Sequence, residues 1–306
     1  MASTLLQLVD QAAAEMGLAI PTSVINNSQA DVLQLLYLTN AVGYELQRQH
    51  QWQAITKEYT FASVFYSYTG TTTSGSTSIT GLSSTTGLTT NPTYFQVTGT
   101  GINNFTMLVS VNAGASTAVM SQAATASGTV TLTFSQVQYA MPSDYDRLID
   151  RTDWDKTQHW EMLGPETAQQ WQWLKSGYIS TGPRIRYRVL GQLFQIWPAL
   201  GAAHTLGFEY VSNQWVVLTA ATQPTKASFT VDTDTCIFPD RLMVLALKLK
   251  YFEIKGFETT ALYRDYMMQL DLAKAHDAGS PTLSFAPKAS SILVGYENIP
   301  DANYGS

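Results

Sequence analysis

The sequence is poor in charge, in cysteine and in long apolar runs, and each shortage excludes something. Only 13% of its 306 residues are Asp, Glu, Lys or Arg, against about 25% in ordinary soluble domains. With 17 basic and 23 acidic residues the formal net charge is -6. That balance speaks against tight wrapping of nucleic acid, which requires clustered Lys and Arg. The single cysteine, Cys236, excludes an internal disulfide and a cysteine-rich zinc site. No run approaches the roughly 20 apolar residues of a membrane-spanning helix. Met1-Ala2-Ser3-Thr4 lacks a basic start, so a secretory signal is not expected and cytoplasmic assembly is.

Signatures of catalysis are equally sparse. The four histidines, His50, His159, His204 and His276, show no metal-ligand spacing, and no cofactor or metal is expected. Gly99-Thr100-Gly101 lacks the third glycine and the following helix of a nucleotide loop. Cys236 reads as a small packed residue at a strand end rather than a nucleophile.

What is present falls into distinct stretches. Residues 1 to about 60 read as two helices. Thr4 and Gln7 form a capping box before an apolar face of Leu5, Leu8, Val9, Ala12, Ala13 and Met16, and Gly17 ends the helix. A second helix spans about 29–50, with Ser28 as its expected N-cap and Leu35, Leu38, Val42 and Leu46 along one row. From Phe61 to Gln138 there is no Asp, Glu, Lys, Arg or His. Short β-branched runs between glycine-rich turns predict a small all-β domain there, since Tyr94, Phe95, Phe105, Val109 and Val111 are not the residues of a linker. Residues 139 to 238 read as mostly β, with a hairpin turning at Gly191-Gln192. Residues 240 to 277 return to helix, interrupted at Gly256, and the tail from 279 reads as extended. The expected class is therefore α+β: a helical core from the N- and C-terminal helices, a central β region and an inserted small all-β domain. The expected boundaries are 1–60 and 139–278 for the core, 61–138 for the insertion and 279–306 for an extended arm.

One acid-rich segment holds Asp144, Asp146, Asp150, Asp153 and Asp155. Paired carboxylates beside Trp154, Trp160, Trp171 and Trp173 suit glycoside chemistry. The interleaved Arg147, Arg151 and Lys156 suit a salt-bridged or interface segment equally, without catalysis.

The order of these features resembles the head–tail adaptor (connector) proteins of tailed bacteriophages. Tyr139-Ala140-Met141-Pro142-Ser143-Asp144-Tyr145 resembles the family's Tyr-x-Leu-Pro-x-Asp segment. Gly182-Pro183, Arg186-Tyr187, the strand Leu193–Trp197 and helices around Tyr251 and Tyr266 follow in the family's order. The stretch from Gly75-Ser76-Thr77-Ser78-Ile79-Thr80-Gly81-Leu82 through Val97-Thr98-Gly99-Thr100-Gly101-Ile102 to Phe134 resembles a recurrent phage structural module. Asn91-Pro92-Thr93 departs from its pattern at one turn.

The resemblance implies a non-enzymatic virion protein at the head–tail interface. It implies a ring of twelve copies under the portal protein, contacts to tail, nozzle or fibre proteins, and DNA passing without sequence readout. No membrane is involved. Portal contacts are then expected at Phe285, Ile292, Leu293 and Tyr296, and subunit contacts at Arg147, Arg151, Trp154, Tyr251 and Tyr266. The competing expectations are a β-rich tail or host-binding protein that grips surface glycans, and a glycan-active enzyme using the Asp144–Asp155 segment.

Overall fold

The N-terminal segment meets residues Asp234 and Asp240 at the first turn of the first helix. In a computed structural model describing residues 2–176, 182, 184–219 and 221–277, helix α1 (Leu5–Met16) opens with the reciprocal Thr4–Gln7 capping box and stops at Gly17 in the left-handed region. Its first amide, Leu5 N–H, donates to Asp234 O, and Ser3 Oγ donates to Asp240 at 2.6 Å. Helix α2 (Ala30–Gln49) begins after Gln29, with no side-chain cap. Ser28 is therefore not the N-cap; the Asn27 carboxamide instead accepts from Gln29 N–H, a turn just outside the helix.

Helix α3 (Ala168–Lys175) is short and capped by Thr167. Helix α4 (Asp240–Lys255) runs from Pro239 to Gly256, and α5 (Thr260–Asp277) follows. Helices α1, α2, α4 and α5 share one hydrophobic cluster with Trp52, Trp215, Phe229 and Phe238. Helix α4 buries residues on most of its circumference, as a central helix must. Gly43 of α2 is required by this packing: a Cβ there would lie 2.1 Å from the Trp215 ring.

The middle of the chain is β. Thr56–Ala62 pairs antiparallel with Thr205–Ser212, whose other edge carries Tyr145–Leu148 and Trp154–Asp155, the latter paired with Trp160–Glu161. A second sheet joins Arg186–Leu190, Leu193–Trp197 and Gln138–Ala140. Its hairpin turns at Gly191 and Gln192, both at positive φ, as a two-residue type I′ turn requires. The two sheets share an aromatic core in which Phe194 stacks on Tyr187 and on Phe208, each at 5.0 Å between ring centroids. A small third sheet holds Val216–Val217 between Pro224–Lys226 and Thr235–Cys236.

The charge-free stretch forms a six-stranded sheet in the order Phe95–Gly99, Gly128–Gln136, Phe65–Thr72, Ser78–Thr80, Thr117–Met120, Leu108–Asn112. A bridge between Gln96 and Met107, with Val97 N–H donating to Thr106 O at 2.7 Å, ties the first strand to the last. The sheet thus rolls into a barrel, which removes its edges. Its interior is its own cluster, including Ile79, Val97, Leu108, Leu132 and Phe134. The chain enters at Val64 and leaves at Val137, and these ends are adjacent: Gln136 N–H donates to Val64 O at 2.8 Å. At the divergent turn, Asn91 takes a left-handed conformation and Pro92–Tyr94 form a single 3-10 turn.

The class is α+β, with five helices and several antiparallel sheets among the described residues. The arm 279–306, with Phe285, Ile292, Leu293 and Tyr296, lies outside the described residues, as does Pro183.

Candidate interaction site

The acid-rich segment is drawn into the protein by donors from distant strands. Asp144 accepts from Lys57 Nζ at 2.6 Å, Ser212 Oγ at 2.8 Å and Tyr210 O–H at 2.9 Å. Burial pushes its carboxyl up, but the bonds from Lys57, Ser212 and Tyr210 outweigh burial and hold it below the usual carboxylate range. Asp155 accepts from the backbone amides of Thr157 and Gln158, and its Oδ2 lies 2.6 Å from His204 Nδ1. These two carboxylates do what structural acids do: they fix a turn and join strands.

Asp153 differs. It is fully buried, accepts from Tyr187 O–H at 2.6 Å, and leaves Oδ1 without a partner. Burial raises its carboxyl to about 7 against the Tyr187 bond, with Asp150 and Glu161 adding repulsion. Among the described residues no group of three or more His, Cys, Asp or Glu is placed to hold a metal. Cys236 is buried against Phe238, where its thiol is pushed up to about 12 by desolvation.

The residues expected at subunit contacts divide. Arg147 donates to His50 O and pairs with Asp146, which Arg48 also reaches. This clamps the end of α2 to the first sheet. Arg151, at positive φ, pairs with Glu161 at 3.6 Å and is largely exposed. With Trp154, Lys156 and His159 it lines an open depression of about 540 Å³ on the outer side of that sheet. Tyr251 and Tyr266 belong to the helical cluster instead. They are 6% and 8% exposed.

The exposed apolar residues of the helical part were not singled out in the sequence. Tyr37 and Tyr44 stand seven residues apart on α2, with the Arg48 guanidinium 4.5 Å from the Tyr44 ring centroid. Ile254 and Phe257 project at the α4–α5 turn, and Tyr263, Met268 and Leu272 on α5. Tyr37 is 71% exposed and Met268 64%. Groups of large apolar side chains left in water on adjacent helices mark contact surfaces. For Tyr37, Tyr44, Met268 and Leu272 the signal available in the sequence was their position off the apolar rows of α2 and α5, whereas Tyr263 shares the α5 row with Tyr266 and Leu270 yet is exposed.

The family model for the SU10 adaptor protein matches residues 104–282, more than half of the chain. The chain belongs to the SU10 adaptor protein family. That is a family of phage head–tail adaptors, and the match begins inside the charge-free barrel and extends through α5. No curated protein matches the chain. No helix among the described residues is long and apolar enough to cross a membrane. Family membership assigns a structural role in a phage particle, with portal and tail proteins as the implied class of partner.

Proposed function

We propose that this chain is the subunit of a ring, of twelve copies, that seats on the phage portal, receives the tail and lets DNA pass without reading its sequence. The observation that carries the reading is the exposed apolar set Tyr37, Tyr44, Ile254, Phe257, Tyr263, Met268 and Leu272 on a helical unit whose interior is already filled. A side-by-side ring covers such a surface on both flanks of each subunit, and the Arg151–Trp154 depression supplies a further contact. A net charge of -6 suits a channel that must not hold DNA.

In this reading the barrel is an inserted domain directed toward tail or fibre proteins. The arm 279–306 grips the portal through Phe285, Ile292, Leu293 and Tyr296. The function is assembly rather than catalysis, in the host cytoplasm. Light scattering on the purified protein, alone and with its portal, tests the proposal. A small free species that becomes one large defined complex with portal supports it. A mass that ignores portal contradicts it.

A further inference from the structure

Where the barrel meets the second sheet and α3 there is a cavity of about 200 Å³. That is smaller than the roughly 300–1,000 Å³ of small-molecule sites, and of a size for one side chain. Lys175, at the end of α3, projects its ammonium over the Trp171 ring at 5.3 Å from the centroid and donates to Gln195 Oε1 at 3.3 Å. No carboxylate among the described residues pairs with it. The barrel wall has none to give, because residues 61 to 138 contain no Asp or Glu.

Burial disfavours the charge and Arg188 adds repulsion, so Lys175 sits below the usual lysine range. A half-buried ammonium without a counter-ion is costly to hold. Two further groups in the cavity wall are unspent. Gln96 is only 8% exposed, and its carboxamide has no hydrogen-bond partner among the described residues. Trp171 is 1% exposed with its indole N–H unpartnered. Buried polar groups are nearly always paired, and the Trp171 indole N–H is not. The barrel side is fixed by Phe105, a non-glycine residue at φ 60, whose ring packs on the Trp171, Leu174 and Trp197 cluster.

We propose that this cavity is a socket for one carboxylate of an acidic partner polypeptide, its charge taken by Lys175 and an oxygen by the Gln96 carboxamide. The apolar walls receive the stem of the guest. The site joins the barrel to the rest of the chain, so a guest seated there contacts both. The inference does not depend on ring formation, and its failure leaves the ring reading untouched.

The test is a titration of the full-length protein, followed by indole N–H and lysine ammonium resonances, with three peptides. These are acetyl-Leu-Glu-Leu-amide, its Gln analogue, and acetyl-Leu-Leu with a free terminal carboxylate. The Glu peptide should bind about tenfold tighter than the Gln analogue, as one charge-assisted hydrogen bond provides. Lys175→Met should abolish that preference and Lys175→Arg retain part of it, with circular dichroism confirming that both variants fold. Tighter binding of the free-carboxylate peptide assigns the guest to a chain terminus, and tighter binding of the Glu peptide to an acidic side chain. Equal binding of the Glu and Gln peptides, or a preference that survives Lys175→Met, overturns the socket.

Discussion

The barrel and the helical unit solve the same problem with different materials. The helical unit is laced with charge: Glu15 takes both Arg241 and Lys248, Lys250 meets Glu45, and Lys226 meets the buried Asp234. The barrel has no Asp, Glu, Lys, Arg or His and relies on the Leu132–Phe134 interior, strand pairing and hydroxyl contacts such as Thr71 to Thr129 at 3.0 Å. A structure without carboxylates, lysines or histidines has nothing to titrate between about pH 3 and 9, where only such groups change charge. The difference therefore separates a part indifferent to pH and salt from a part that is not.

The comparison breaks first at the cores. Trp215→Ala removes a fully buried ring from the helical cluster and should cost about 4 kcal/mol. Unfolding followed by α-helical signal should shift while barrel amides keep their exchange protection. Leu132→Ala, fully buried in the barrel, should cost about 3 kcal/mol with the pattern reversed. Equal loss of protection in both parts for either variant would mean one cooperative unit.

Acidity sharpens the contrast next. Asp144 and Asp234 are held below the usual range, burial being outweighed by hydrogen bonds from Lys57 and Lys226 respectively among others. Their stabilisation is present above the unfolded value and lost as pH falls through the lowered folded value. Asp153 runs the other way. Its folded value of about 7 exceeds the ordinary 3.8, so stability falls between about pH 4 and 7 and flattens above. Denaturant titrations from pH 3 to 8 should give a dome for the whole chain, with the high-pH decline of a few kcal/mol at most removed by Asp153→Asn. Barrel amides should show no such dome. The smallest effect is expected from Glu15→Gln, on a partly exposed ion pair: less than about 1 kcal/mol, shrinking with added salt.

Local rules carried much of the fold. Thr4 with Gln7, Gly17, Pro239 and Gly256 mark helix ends by chemistry that acts within one turn, and each end lies where that chemistry puts it. The Gly191-Gln192 hairpin is equally local. Ser28 misled because the helix begins one residue later, after Gln29, whose amide is taken by the Asn27 carboxamide in a turn outside the helix. Barrel closure was not legible, since it rests on a single bridge from Gln96 to Met107 and on long-range strand order. Nor could the tryptophans be sorted: Trp171 and Trp215 are fully buried, whereas Trp160 and Trp173 are about half exposed. The Lys175 cavity was invisible for the same reason, because Gln96 and Lys175 come together only through packing.

The claim that two units of different chemistry share one chain is tested most directly by excision. Residues 65–136 are replaced by a short Gly-Ser bridge between Val64 and Val137, ends already held together by the Gln136–Val64 bond. The account predicts that the remaining chain keeps the helical signal of α1, α2, α4 and α5 and unfolds in one cooperative transition. Loss of that transition on excision would contradict it.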